Sequence, residues 1–342
     1  MAIYILGIES SCDDTSAAII KDNVILSNII ANQDVHNNFG GVVPELASRA
    51  HQQNIVPVVE TAFKKAGIDK EQINAIAFTR GPGLLGSLLV GISFAKAFAL
   101  GLEIPLIEVD HLQAHILSHF IHDENKMPPS FPFLCLTVSG GHTQIEIIKD
   151  YFTFEKIGET IDDAAGETFD KAAKILGIPY PGGPFIDKYA VSGNPKAFKL
   201  PIPKAEGFNF SFSGLKTSFL YMIRDNLKEN DKFIEENIND LSASIQKTII
   251  DTLMEKLIKA SAATGINTIA IAGGVSANSE LRSRLKSESI KRKWQVHIPE
   301  FQFCTDNAAM VAIAGYFKYK DNNFAEQNAV AYARQGKGLR KP

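Results

Sequence analysis

Three cysteines in 342 residues, widely spaced and odd in number, exclude a disulfide framework. Cys12, Cys135 and Cys304 form no Cys-x-x-Cys pair, and such usage points to a reduced, cytoplasmic protein. Charge of one sign is also scarce. With 35 Lys and Arg against 38 Asp and Glu the net charge is −3, so any nucleic-acid contact must rest on local basic patches. The chain opens on a strand-like run without a basic stretch or cleavage site, so no signal peptide is expected. Residues 84–102 come nearest to a membrane span, with Lys96 their sole charge. Gly86, Gly91 and Gly101 interrupt the run and Pro105 follows it. It reads as a helix packed against a sheet and a neighbouring helix or subunit, with no membrane involved. What is present, 45% apolar and 21% charged residues, is an ordinary globular composition with length enough for two domains.

The chain is organised around residues 104–115. Ile104-Pro105-Leu106-Ile107-Glu108-Val109 reads as a short buried strand, and Asp110 is a good helix N-cap with Gln113 three residues on. A helix from His111 puts His111 and His115 one turn apart on one face, a spacing that lets two imidazoles share a metal ion. His119 continues the series. It lies too far along a helix to share an ion with His111, whereas His115 with His119 is an equally good pair by spacing alone.

Two related halves can be read along the chain. Residues 3–8, 15–20 and 24–29 form an antiparallel meander. A helix over 44–67, a strand over 73–79, the apolar helix and the 104–109 strand follow. The pattern recurs: strands over 133–138 and 143–148 flank Ser139-Gly140-Gly141-His142. Ile19-Ile20-Lys21-Asp22 matches Ile147-Ile148-Lys149-Asp150, and Asn74-Ala75-Ile76-Ala77-Phe78 matches Asn267-Thr268-Ile269-Ala270-Ile271. The offsets differ by 65 residues, which places an insertion in the second half at about 155–230. This order predicts an α/β chain of the actin-like (ASKHA) fold, two duplicated ribonuclease-H-like domains around a central cleft. The first covers residues 1–130 with 308–342 packing back on it, and the second 131–307.

Ser139-Gly140-Gly141 and Gly273-Gly274-Val275-Ser276-Ala277-Asn278 are turns whose backbone N–H groups suit a phosphate, the second leading into a helix N-terminus. Gly81-Pro82-Gly83-Leu84-Leu85-Gly86 matches a dinucleotide-binding pattern, but it follows a meander rather than opening a βαβ unit. Its glycines read better as packing positions. Within the insertion, residues 208–216 mix Phe208, Phe210 and Phe212 with hydroxyls and Lys216. They could stack a base or form a strand and turn with core phenylalanines. Asp306 falls near the equivalent of His111 in the second half, at the start of a helix over 308–319. It is either an ordinary N-cap or a third metal ligand. Lys291-Arg292-Lys293-Trp294 and Lys337-Gly338-Leu339-Arg340-Lys341 are the basic segments available to RNA.

Taken together these motifs resemble the tRNA adenosine threonylcarbamoyltransferase family almost end to end. They include Glu9-Ser10-Ser11-Cys12-Asp13-Asp14-Thr15, Gly40-Gly41-Val42-Val43-Pro44-Glu45, Arg80-Gly81-Pro82-Gly83, Asp110-His111-Leu112-Gln113-Ala114-His115, Asp162-Asp163-Ala164-Ala165-Gly166-Glu167 and Tyr180-Pro181-Gly182-Gly183-Pro184. The resemblance implies one divalent metal, Fe2+ with Zn2+ as the alternative, on His111, His115 and Asp306. It implies that Thr137, Val138, Ser139, Gly140, Gly141, Asp170, Gly183, Asp187 and Asn278 bind threonylcarbamoyl-adenylate. The group then passes to the adenosine beside the anticodon in tRNAs that read codons starting with A. Implied partners are tRNA, an inactive paralogue (TsaB) and a small ATPase (TsaE). By position, His142, Glu9 and Asp13 are the candidates for moving the amine proton. The rival readings are a metalloprotease, which Leu112 disfavours by standing where a glutamate base belongs, and an actin-like metal- and nucleotide-binding scaffold without catalysis.

Overall fold

A computed structural model describes residues 2–33, 36, 39, 41–202 and 204–334. It divides into two compact units, residues 1–128 with 305–342 and residues 129–304. In the first, β1 (Tyr4–Glu9), β2 (Thr15–Lys21) and β3 (Val24–Ala31) form the expected meander. β4 (Ala75–Gly81) and β5 (Leu106–Asp110) add in parallel, for the order β3-β2-β1-β4-β5. Strand residues alternate between faces. Leu6 and Ile8 pack with Ile55 and Val58 of α1 (Pro44–Ala66) and with Leu88 and Ile92 of α2 (Leu85–Leu102). Gly7 faces the other way, onto α9 (Ala308–Lys320). A Cβ there would stand 2.4 Å from the Ala308 carbonyl oxygen, so only glycine lets that helix lie so close.

The second unit repeats the plan. β6 (Phe133–Val138), β7 (Thr143–Ile148), β8 (Phe154–Glu159), β9 (Thr268–Ala272) and β10 (Gln295–His297) run in the order β10-β9-β6-β7-β8. β6, β7 and β8 pair antiparallel in turn, and β9 and β10 add on the other side of β6 in parallel. Between β8 and β9 stand α4 (Ala165–Ile175), α5 (Gly182–Ala190), α6 (Ser213–Leu227) and α7 (Phe233–Thr264), and α8 (Ser279–Arg292) follows β9. β8 is the counterpart of β3, so the extra residues begin after Glu159, a few positions later than the sequence suggests.

α2 is the one helix among the described residues long and apolar enough to cross a membrane, yet only a third of it is buried. Ser87, Leu88, Gly91, Ile92, Ala95 and Ala99 form the buried stripe. Leu85, Leu89 and Leu100 lie on the exposed side.

Candidate metal centre and substrate-binding turns

α3 (His111–Leu117) starts where β5 ends because Asp110 Oδ1 accepts the N–H groups of Leu112 and Gln113 at 2.9 and 3.0 Å. All its residues except Gln113 are buried, the two histidines included. The rings of His111 and His115 meet edge to face with centroids 4.8 Å apart. His119 falls in the 3-10 turn Ser118–Phe120 beyond the end of α3, and the cluster that forms is His111, His115 and Asp306.

The aspartate reaches the histidines because it is not the N-cap. Asn307 takes that place in α9, its Oδ1 accepting the Met310 N–H at 3.1 Å. Asp306 Oδ1 then lies 3.1 Å from His115 Nε2 and 3.5 Å from His111 Nε2. Donors sharing one ion at about 2.1 Å stand about 3.0–3.4 Å apart at octahedral or tetrahedral angles. Both carboxylate–imidazole spacings fall in or just above this range and all three donor atoms lie within 4.8 Å of one another, a donor set that suits a divalent cation.

Glu9, fully buried at the end of β1, stands behind His111. Its Oε1 accepts the Ser11 N–H at 2.5 Å, its Oε2 accepts the Thr79 hydroxyl, and Oε2 lies 3.3 Å from His111 Nδ1. Ser11 Oγ is 3.1 Å from the same nitrogen. These contacts hold Nδ1 toward Glu9 and turn Nε2 toward Asp306, the arrangement that orients a metal-binding histidine. Burial opposes the imidazolium, but Asp306, Glu9 and Asp110 outweigh it and lift His111 to about 9. Burial likewise opposes the Glu9 carboxylate, and the His111 charge and hydrogen bond hold it below its usual range. The negative potential that captures a proton here is equally suited to a cation. Asp13 is half-buried in the turn after β1. Burial and the neighbouring Asp13 carboxylate push the Cys12 thiol far above its normal range, so it is no thiolate nucleophile.

The remaining candidates lie in the second unit. Thr137 and Val138 end β6 and are buried, while Gly140 and Gly141 are exposed at the tip of a turn closed by Ser139 N–H to His142 O at 2.8 Å. His142 is half-buried at the foot of that turn and donates its N–H to Ser139 Oγ. Gly166 brings the α4 N-terminus onto the turn. Its N–H bonds Ser139 O at 3.2 Å, and a Cβ on it would stand 2.5 Å from that oxygen. Gly273, at φ +85°, allows the second glycine turn the same closeness to Val138 O.

α5 gathers the rest. Asp170 Oδ1 accepts the Gly182 N–H at 2.8 Å, and its carboxylate also binds the Gly183 N–H. Burial raises the Asp170 pKa and the two N–H groups only partly restrain it. One turn beyond Gly183, Asp187 accepts from Asn278 Nδ2 at 3.2 Å and from Ser279 N–H and Oγ at 3.0 and 2.7 Å. Asn278 also donates to Gln246 and caps α8.

Two readings that the sequence left open can now be narrowed. Phe210 and Phe212 are fully buried core rings, not stacking platforms, and the hydroxyls of Ser211 and Ser213 bind Asp162. Lys291 and Arg292 share Glu288 and Trp294 is buried, so one of the three positive charges of that segment is offset and its aromatic ring is withdrawn from the surface. The segment 337–341 and Gly40 lie outside the described residues. Sequence reasoning missed Thr79, Ser279 and Gln246. Only the parallel register of β1 with β4, Ile8 beside Phe78, brings Thr79 near Glu9.

Two units of one ribonuclease-H-like topology, with a His-His-Asp triad in the first, define an actin-like protein able to hold a metal ion. A family model described as TsaD, tRNA N6-adenosine threonylcarbamoyltransferase, matches residues 24–313. A protein of that description from Christiangramia forsetii is 61% identical over 332 residues, 97% of this chain and 98% of that one. Another, from Phocaeicola vulgatus, is 60% identical over 336 residues, 98% and 99% of the two chains. The chain belongs to the tRNA N6-adenosine threonylcarbamoyltransferase family. Among solved structures, full-length HypF in its phosphate- and nucleotide-bound form superimposes with a TM-score of 0.60 at 15% identity, over 94% of this chain and 47% of HypF. T. kodakarensis HypF gives 0.61 at 14% identity, over 96% and 49%. The chain spans about half the length of those structures, and at such identity the likeness concerns the fold.

Proposed function

We propose that this chain transfers the threonylcarbamoyl group from threonylcarbamoyl-adenylate to N6 of the adenosine 3′ of the anticodon, in tRNAs that read codons starting with A. Family membership supports the transfer to tRNA adenosine. The observation that carries the chemistry is the spacing of His111, His115 and Asp306. The amine nitrogen bonds to the carbamoyl carbon, the carbon–oxygen bond to phosphate breaks, AMP leaves and the amine gives up a proton.

His111, His115 and Asp306 would hold one divalent ion, whose contribution there is to polarise the acyl-phosphate or carbamoyl oxygen. Two histidines and one carboxylate, without thiolate, suit Fe2+, with Zn2+ as the alternative. Thr137, Val138, Ser139, Gly140 and Gly141 would bind the adenylate, with N–H groups of the exposed glycine turn taking up charge on the leaving phosphate. Gly183 and Asn278, with Asp170 and Asp187 as acceptors, would hold its nucleoside. Glu9 has no exposure and both oxygens engaged, which supports a role in orienting His111. Asp13 and His142, both half-buried, are the better candidates to accept the amine proton.

The exposed apolar residues Val56 of α1 and Leu85 and Leu89 of α2 support docking of a TsaB-like paralogue there, with a TsaE-like ATPase as a further partner. Three free cysteines, two of them buried, agree with a cytoplasmic setting. Leu112 beside His111 leaves a metalloprotease without a base at that position.

The test is transfer of labelled threonylcarbamoyl from preformed adenylate to unmodified tRNA with partners present, wild type beside His111→Ala, after metal analysis. Loss of metal and transfer together in the variant is expected. A wild type that binds metal and nucleotide yet transfers nothing overturns the transferase reading in favour of a scaffold.

A further inference from the structure

The motif Arg80-Gly81-Pro82-Gly83 packs against the chain's own C-terminal segment. Ala325 bridges to Leu106 beside β5, its N–H on Leu106 O at 2.7 Å. Lys96 Nζ then donates to Ala329 O at 2.6 Å and Arg80 Nε to Val330 O at 2.8 Å. Tyr332 N–H reaches Arg80 O at 3.2 Å, and Gly83 N–H reaches Ala333 O at 3.3 Å. Gly81, at φ +150°, is required: a Cβ there would be 2.2 Å from Tyr332 O and 3.0 Å from its ring. Arg80 is fixed in turn by both oxygens of Glu108 at 2.9 Å, with its guanidinium 5.8 Å from the Tyr332 ring centroid.

This latch delivers one group to a particular place. The Tyr332 hydroxyl sits 2.5 Å from Asp110 Oδ2, with Gly81 O at 2.9 Å beside it. The hydroxyl has a single hydrogen, and the carboxylate is the stronger acceptor. Asp110 Oδ1 is meanwhile spent on the Leu112 and Gln113 N–H groups. Tyr332 therefore fixes the rotation of the carboxylate that starts α3. That helix has only seven residues, too short to hold its own geometry, so its pitch depends on its cap and its packing. His111 follows Asp110 directly and His115 lies one turn on.

We infer that Tyr332 is a positioning residue for the metal centre: the C-terminal segment, latched on residues 80–83, sets the start of α3 through Asp110 and so the aim of His111 and His115. The inference rests on the metal reading of the triad. The segment thus couples two features far apart in sequence, the glycine motif and the histidine helix. Anything that lifts it off residues 80–83 loosens the metal site.

The experiment compares the full-length wild type with Tyr332→Phe, Asp110→Ser and the double variant. Serine keeps an N-cap while removing the oxygen that Tyr332 holds. Two quantities are read: Zn2+ affinity by competition with a chromophoric chelator, and deuterium uptake at the Leu112 and Gln113 amides of the metal-free protein. Tyr332→Phe should weaken Zn2+ binding about tenfold, the low end for groups that orient a ligand from behind, and speed exchange at both amides. In the Asp110→Ser background it should add nothing. A Tyr332 that merely stabilises the fold would lower the melting temperature and leave affinity and both amides unchanged, which overturns the inference. So would equal effects in both backgrounds. A wild type that binds no Zn2+ or Fe2+ removes the metal reading, while the two amides still decide whether Tyr332 positions α3. Should Tyr332→Phe fail to fold, Arg80→Gln opens the latch and keeps the hydroxyl, and the same two readings apply.

Discussion

Two glycines near the first turn of the second unit have opposite reasons to be glycine. A Cβ on Gly140 meets nothing within 4 Å, whereas on Gly166 it meets Ser139 O at 2.5 Å and Gly140 N at 2.8 Å. Gly140→Ala is expected to change stability by under about 0.5 kcal/mol. Any rise in its KM for the adenylate then reports on phosphate access. Gly166→Ala forces α4 and the turn apart at a cost of about 1–3 kcal/mol, read by denaturant unfolding. Equal stabilities for the two variants would refute this assignment. Behind His111, Glu9→Gln keeps the shape and removes the charge. Metal affinity is expected to fall about 10- to 100-fold, measured by chelator competition. An unchanged affinity would return Glu9 to the proton-transfer candidates. At this scale the sequence revealed donor types but not donor directions. His111 and His115 could be paired by spacing, while Thr79 became Glu9's neighbour only through the β1–β4 register.

Element boundaries followed local chemistry closely, and the exceptions are informative. Gly67 ends α1 in the left-handed conformation that its residue type suggests. At α9 two adjacent residues could both cap. Asn307 does so, and this releases Asp306 toward the histidines. No sequence rule separates Asp306 from Asn307 at that position. α6 shows a cap supplied from afar: Asp162 Oδ1 accepts the Phe212 N–H at 2.7 Å and the Ser213 N–H at 3.3 Å, and Oδ2 takes the hydroxyls of Ser211 and Ser213. Fifty residues of separation hid this role, and the sequence showed Asp162-Asp163 only as part of a motif leading into a helix. Asp162→Ala should cost about 1 kcal/mol, as loss of a helix cap does. Partial burial raises the Asp162 pKa, but the Ser211, Phe212 and Ser213 donors outweigh it and hold the carboxyl below its usual range. A carboxyl depressed by folding stabilises above its unfolded pKa, about 3.9, and loses that contribution as pH falls through the folded value. The stability gap between wild type and Asp162→Ala is therefore full at pH 7 and narrows below about pH 4. A gap independent of pH would show that the carboxylate charge plays no part.

Across the whole chain the duplication was legible because both halves keep the same strand order. Each meander is followed by a helix and a parallel strand. The insertion was legible in length but not in content, since the first half has one helix between its meander and its next strand where the second has four, and the three extra helices have no counterpart to be read against. Hydropathy alone was least informative at α2, where an apolar helix can be core, membrane span or interface. Its buried stripe of Leu88, Ile92, Ala95 and Ala99 faces the sheet and α1, and that accounts for one side only. Leu85 and Leu89, one turn apart, are 50% and 47% exposed, and Val56 on the adjoining α1 is 57% exposed. Exposed apolar residues on two packed helices are the feature on which the proposed docking rests. Since about half of each side chain already faces solvent, Leu85→Glu with Leu89→Glu should lower the melting temperature of the isolated chain by only a few degrees and leave its metal content unchanged. If the proposed docking holds, the same pair places two charges in the docked face, and association with a TsaB-like paralogue should weaken at least about 100-fold, as buried unpaired charges do. Light scattering of the mixture reads the association directly. Retained binding by the doubly charged variant would move the docking surface elsewhere on the first unit and leave the apolar face of α2 without an assigned partner.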